Sequence, residues 1–185
     1  KIHYSQQNPG KRLGSHSASV GVSEFLRFYQ SLEGRNVGIM VEAKDKNLSA
    51  VKLLNAVSTP EVRWLEEEWA RYKYLVLERS PRIYRDIRRL LKDKRDYPVE
   101  EFYTLIDDAV MTPVKCGNAV NAAQHVWGYF KRIADDPAKR RYQRAIQKLG
   151  AGGTTIPVER LLWKLVEEQQ QGYLMDSLYF MELVQ

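Results

Sequence analysis

Three side chains early in the sequence are of types that bind divalent metals. His3 stands in the short run Ile2-His3-Tyr4-Ser5, His16 lies between Ser15 and Ser17, and Glu42 ends the apolar run that begins at Val37. Imidazole nitrogen and carboxylate oxygen are natural ligands for Mn²⁺ or Zn²⁺, and such sites gather single residues from several strands. Parallel α/β enzymes place their chemistry at the C-terminal ends of strands. His3 and Glu42 fall there if each run is a strand. Two plainer readings stand beside this one. A strand-end glutamate next to Lys44 and Lys46 also makes a surface ion pair, and a lone loop histidine is often simply solvated.

The elements that must hold these residues are legible in outline. Lys1 to Ser5 reads as a strand, and Gln6 to Ser19 as a loop with Asn8-Pro9-Gly10 as a turn. Ser23 is placed to cap a helix carrying Phe25, Leu26, Phe28, Tyr29 and Leu32, which Gly34 stops. Val37 to Val41 is a nearly continuous apolar run, as expected of a strand buried on both faces. Leu48 to Val57 reads as a second helix. Strand, loop, helix, strand, helix is the repeat of a parallel α/β fold. Two strands make no stable parallel sheet alone, so this region needs neighbours.

From Ser58 onward the pattern is helical. Thr59-Pro60-Glu61 has the form of a helix start, with Thr as N-cap and Pro in the first turn. Trp64, Leu65, Trp69, Tyr72, Leu75 and Val76 follow at helical spacing. Ser80-Pro81 opens another helix through Leu91, and Tyr97-Pro98 marks the joint before a helix from Glu100 to Met111. A further helix is expected from Asn118 to Ile133, and another from Asp136-Pro137 through Leu149. Gly150 to Thr155 (GAGGTT) reads as a flexible loop, without the Gly-Lys-Ser/Thr ending of a phosphate-binding loop. Pro157 begins a long last helix, divided at Gly172 from a closing segment. Short joints predict antiparallel neighbours.

Composition narrows the function classes. The 185 residues suffice for one domain, or for one domain and a fragment of another. The net charge of +6 favours an acidic partner such as nucleic acid. Cys116 is the single cysteine, so no internal disulfide forms, and a reducing cytoplasm fits. No apolar run is long enough to span a membrane. Lys1 in place of an initiating Met suggests a piece of a longer protein.

The segments KIHYS, GKRLGSHS and IMVEAKDKNLSAVKL resemble the end of the bacterial and fungal UV damage endonucleases. The resemblance covers about the first 53 residues. It implies the last two β/α units of a (β/α)₈ TIM barrel that binds divalent metals, chiefly Mn²⁺. Such enzymes cut the DNA backbone on the 5′ side of a lesion. The family's metal-binding pattern falls on His3, His16 and Glu42, and Lys1 matches a lysine of its active centre. Lys11, Arg12, Lys44 and Lys46 lie near the same rim, where they can meet phosphates of damaged double-stranded DNA without reading sequence. A whole barrel needs roughly 200 residues or more, so this fragment alone is expected to be inactive.

Trp64 to Phe180 resembles a helical domain appended to some of these endonucleases, through WARYKYLVLERSPRIY, EFY and NAAQHVWGYFKR. The fold class expected is therefore mainly α: a barrel remnant in residues 1–57, then an all-α domain in residues 58–185. Two basic stripes stand out. Ten Lys/Arg face three acids between Arg71 and Arg95, and seven face two between Lys131 and Lys148. Arg82, Arg85, Arg88 and Arg89 fall at near-helical spacing, and Arg85, Arg88 and Arg89 are the candidate DNA contacts. With Tyr72, Tyr74, Tyr84 and Tyr142 interleaved, the stripes suit a nucleic-acid backbone. They equally suit solvated faces laced with i,i+4 pairs over buried tyrosines. His125 is expected to be buried and hydrogen-bonded, with Gly128 allowing close helix packing, and Cys116 to be an incidental thiol. Other readings remain: another metal-dependent barrel (an apurinic-site endonuclease or sugar isomerase), or a non-catalytic helical module that binds DNA or a repair partner.

Overall fold

The structure is a computed structural model that describes residues 1–45 and 47–184. It is mainly α, with a two-stranded parallel sheet near the start. The chain divides into two compact units: Lys1–Leu65 with Lys94–Asp107, and Glu66–Asp93 with Asp108–Gln185. Residues 94–107 thus pack with the β/α segment, whereas the sequence suggests a boundary at 57/58.

In the first unit β1 (Ile2–Ser5) and β2 (Ile39–Glu42) run parallel, with Ile2 opposite Ile39 and Ser5 opposite Glu42. Between them lies α1 (Val22–Ser31), and α2 (Asn47–Val57) follows β2. Side chains alternate across a strand, so Tyr4 and His3 point to opposite faces. The Tyr4 ring meets Phe25 and Phe28 of α1 at 5.2 and 4.6 Å. Those aromatic contacts seat the helix on one face and leave His3 and Glu42 on the other. β2 is half-exposed and Met40 is open to solvent. The expected burial on both faces is therefore not met; among the described residues β1 is the strand that pairs with β2, in a two-stranded sheet.

Helix starts follow local chemistry, with corrections. Gly21, not Ser23, caps α1. Gln6 fixes Gly21 by accepting its N–H at 2.8 Å and donating to its carbonyl at 3.1 Å, which pushes Ser23 into the first turn. Gly34, at φ 73, ends the turn after α1 in a conformation glycine adopts without strain. The helix α3 (Val62–Arg79) starts past Thr59-Pro60. Ser80 caps α4 (Pro81–Leu90), accepting the Ile83 N–H at 3.3 Å, with Pro81 in the first turn.

α5 (Val99–Met111) begins in the first unit. There the buried Lys52 ammonium donates to both Asp107 oxygens at 2.8 and 2.9 Å and to Ser19 Oγ at 2.8 Å. Asn55 donates to the Tyr103 hydroxyl at 2.8 Å, and Tyr97 donates to the Asn55 carbonyl at 2.8 Å. A buried ammonium is tolerable only with such partners.

The second unit is a helical bundle. α6 (Cys116–Trp127), α7 (Asp136–Gly150) and α8 (Ile156–Glu168) pack in sequence, followed by α9 (Gly172–Met175), a 3-10 turn (Leu178–Phe180) and α10 (Met181–Val184). Its core joins Ala119, Ala122, Ala123 and Val126 of α6 to Tyr142 and Ile146 of α7 and Leu162 and Val166 of α8. α6 stops at Trp127, short of Ile133: just beyond it the N–H groups of Tyr129 and Phe130 bond back three residues, to the carbonyls of Val126 and Trp127, instead of four. The same arrangement overturns the expectation for His125. Small residues occupy the buried side of α6, and His125 faces solvent. Gly128 is exposed, and a Cβ there would come within 3.0 Å of the His125 carbonyl, so it serves the local reversal.

Candidate functional site

The parallel register places His3 and Glu42 diagonally on one face of the sheet, a spacing that side chains bridge. His3 Nδ1 lies 2.5 Å from Glu42 Oε1, and His16 Nε2 lies 3.5 Å from Glu42 Oε2. One carboxylate therefore meets both imidazoles, an oxygen to each. With its proton on Nδ1, His3 donates to Glu42 and keeps Nε2 free as a ligand. That hydrogen bond, aided by the charge of the two imidazoles and opposed by slight desolvation, holds the Glu42 carboxyl below its ordinary range.

His16 reaches this point because the loop after β1 folds back on itself. Asn8 N–H donates to Ser15 O at 2.8 Å and Ser17 N–H to Gln6 O at 2.8 Å, and Gln7 and His16 form an antiparallel bridge. Gln7 acts as an internal strut: its Oε1 accepts from Gly14 N–H at 2.9 Å and its Nε2 donates to the carbonyls of Asn8 and Arg12 at 2.8 and 3.0 Å. Gly14, at φ 82, makes the reversal possible. The loop is tied to the end of β2 by Asp45 N–H donating to Ala18 O at 2.9 Å. Asp45 also accepts from Ser49 Oγ at 2.8 Å, and Ser49 Oγ in turn accepts the Val20 N–H at 2.9 Å. Neither glutamine nor the Asp45–Ser49 pair carries a motif; only the polar residues flanking the loop hint at them.

The donor set of two imidazoles and a carboxylate suits Mn²⁺ or Zn²⁺ by chemistry. Three donors would fill only part of the coordination shell of such an ion. Among the described residues no group of three or more His, Cys, Asp or Glu is placed to enclose a metal ion. Lys1 is exposed, its stem beside Gly38, and it makes no hydrogen bond or ion pair with the cluster. Lys11, Arg12 and Lys44 are exposed. Lys46 lies outside the described residues.

In the second unit the arginines of α4 sit on its solvent side, opposite buried Ile83 and Ile87. Asp86 pairs with Arg89 at 3.0 Å and with Arg82 at 3.6 Å. Arg88 lies over the Tyr84 ring at 5.8 Å, and Arg85 is exposed. Tyr72, Tyr74 and Tyr142 are buried, which removes them as base-stacking platforms; Tyr142 instead stacks on Trp127 at 4.1 Å. Cys116 is exposed at the start of α6.

Two buried acids carry no sequence signal. Glu78 of α3 and Glu159 of α8 are nearly inaccessible and line a cavity of about 50 Å³ with Arg79, Thr155 and Tyr179. Among the described residues, Glu78 Oε1, Arg79 Nε and the Tyr179 hydroxyl have no hydrogen-bond partner. Burial, reinforced by the charge of Glu159 and opposed by Arg79, pushes the Glu78 carboxyl up to about 8. Burial likewise raises Glu159. No helix among the described residues is long and apolar enough to cross a membrane.

The UV DNA damage endonuclease of Clostridium perfringens (strain 13 / Type A) is 32% identical over 117 residues, which cover 61% of this chain and 27% of that protein. The chain thus spans about a quarter of the length of that curated relative. No solved structure matches. The family described as "Protein of unknown function (DUF1722)" matches residues 73–182, more than half of the sequence and nearly all of the bundle. On that match, the chain belongs to the DUF1722 family and is similar, over a longer stretch, to a UV DNA damage endonuclease.

Proposed function

We propose that this chain is part of a metal-dependent DNA repair endonuclease that hydrolyses the phosphodiester on the 5′ side of UV lesions. Residues 1–57 form the last two β/α units of its TIM barrel, and the bundle is an appended helical domain. The observation that carries this reading is the meeting of His3 and His16 on the two oxygens of Glu42, at the ends of parallel strands. Similarity to an enzyme named for cutting damaged DNA supports the same assignment.

In this reading His3 and His16 give neutral nitrogen donors and Glu42 gives the negative charge that holds cations together. These residues would hold Mn²⁺, and the chemistry it would supply there is activation of water at neutral pH and screening of the phosphate charge. Further ligands come from other strands of the full enzyme, so the fragment alone is inactive. Lys1 stands near the metals, and Lys11, Arg12 and Lys44 steady flanking phosphates. An exposed unpaired thiol at Cys116 suits a cytoplasmic setting.

The test is incision of UV-irradiated duplex by the full-length protein with Mn²⁺. Nicking of irradiated but not intact DNA, abolished by a chelator, is expected. Equal cutting of both substrates, or none of either, would overturn the assignment.

A further inference from the structure

The seven basic residues between Lys131 and Lys148 are not spread evenly around their helix. α7 turns Ala138, Tyr142, Ile146 and Leu149 inward. At about 100° per residue, Arg140, Arg141, Arg144 and Lys148 then share one arc of the opposite side, and all four are exposed. Lys131 and Arg132 stand exposed in the turn before the helix.

This row lacks neighbouring acids. No Asp or Glu occurs from Pro137 through Val158. Of the two acids just before, Asp135 is occupied as N-cap, accepting the Ala138 N–H at 2.7 Å, and Asp136 pairs with Lys139 at 3.6 Å. Among the described residues, none of the four has a carboxylate within ion-pair distance, and neither have Lys131 and Arg132. Several other cations of the unit are matched: Arg82 and Arg89 share Asp86, and Arg71 holds Glu68 at 2.6 Å. Arg140/Arg144 and Arg144/Lys148 are like-charged i,i+4 pairs, which repel each other on the helix face. A polyanion relieves that repulsion.

We propose that the exposed row of α7, with Lys131 and Arg132, is a docking surface for the sugar-phosphate backbone of double-stranded DNA. The choice of DNA rests on the nuclease reading above; the choice of a backbone rests on geometry. Arg140 to Lys148 spans about 12 Å at 1.5 Å per residue. That matches about three to four phosphates of one strand at about 3.4 Å of axis each. Tyr142, the aromatic residue of this stretch, is buried against Trp127, so the face offers no ring for an unstacked base. Single strands bind through such rings; a duplex needs only the charges. The face therefore holds undamaged flanking DNA and reads no sequence.

The test is fluorescence anisotropy of a 20-base-pair undamaged duplex with the 185-residue chain, without metal, between about 50 and 200 mM salt. Replacing Arg140, Arg141, Arg144 and Lys148 together by Gln removes about four phosphate contacts. At about 0.9 per contact, the logarithmic salt slope should fall by about 3 to 4, and affinity at 50 mM by about 100-fold or more. The milder Arg140→Gln/Arg144→Gln pair, which leaves the buried side of the helix untouched, should remove about half of that slope. Arg82→Gln on α4, whose guanidinium already faces Asp86, should change it by about 1 or less. Wild-type binding by the quadruple variant, loss concentrated in the α4 variant, or binding to vesicles with 25% anionic lipid in place of duplex would each overturn the proposal. Anisotropy reads no incision, so a failed nuclease assignment and a failed docking surface give distinguishable results.

Discussion

Replacing Glu78 by Gln should change how stability depends on pH. The native carboxyl keeps its proton up to about pH 8, whereas the unfolded chain releases it near 4.5. Between those values the native state binds one proton more than the unfolded state, so stability falls as pH rises and the loss is complete above about 8. The slope is about 1.4 kcal/mol per pH unit, and over this window the total reaches on the order of 5 kcal/mol. For a chain of this size, 1 kcal/mol corresponds to roughly 2–4 °C in Tm. Gln has nearly the same shape and does not titrate. Melts of the two proteins followed by circular dichroism at pH 5 to 9 should therefore diverge, with the variant gaining on the order of 10 °C relative to wild type. Glu159, also buried and also raised, should show the same sign when changed to Gln. Parallel Tm curves for Glu78→Gln and wild type would refute the buried, proton-bound carboxyl.

Other outcomes follow from single contacts. Lys52→Ala strips a buried cation from Asp107 and should cost about 3 kcal/mol in urea unfolding; a change below about 1 would contradict the pairing. Asp135→Ala should cost about 1 kcal/mol through loss of the α7 cap, while Ser23→Ala, which caps nothing, should stay within about 0.5 kcal/mol in the same assay. Gly153→Ala should lower Tm, because a Cβ there would lie 2.7 Å from the Lys148 carbonyl; an unchanged Tm would show that the turn after α7 shifts freely.

What is legible in the sequence is mostly local. Ser80-Pro81 and Asp136-Pro137 announce helix starts because cap and proline act within one turn, although the side chain that caps the second is Asp135, one residue before the expected pair. Thr59-Pro60 has the same form, yet α3 starts at Val62, so the motif alone does not decide. Ser23 fails as a cap for a nonlocal reason: the Gln6 side chain, 15 residues before Gly21, fixes the cap. His125 is misread because alanines rather than large apolar residues mark the buried side of α6, and small residues give a weak pattern. The site divides the same way. His3, His16 and Glu42 are visible as residue types, and the resemblance ties them together. The struts from Gln7, Asp45 and Ser49, and the approach of Glu78 to Glu159 across 81 positions, depend on contacts that no spacing encodes.

The central claim is that His3, His16 and Glu42 act as one metal-holding group. It is tested most directly by titrating Mn²⁺ into the full-length protein, wild type and with all three residues replaced by Ala, alongside incision of UV-irradiated duplex. The account predicts that the triple variant loses at least about 10-fold in Mn²⁺ affinity and loses damage-dependent nicking while keeping its fold. Unchanged Mn²⁺ binding and full incision in that variant would contradict it.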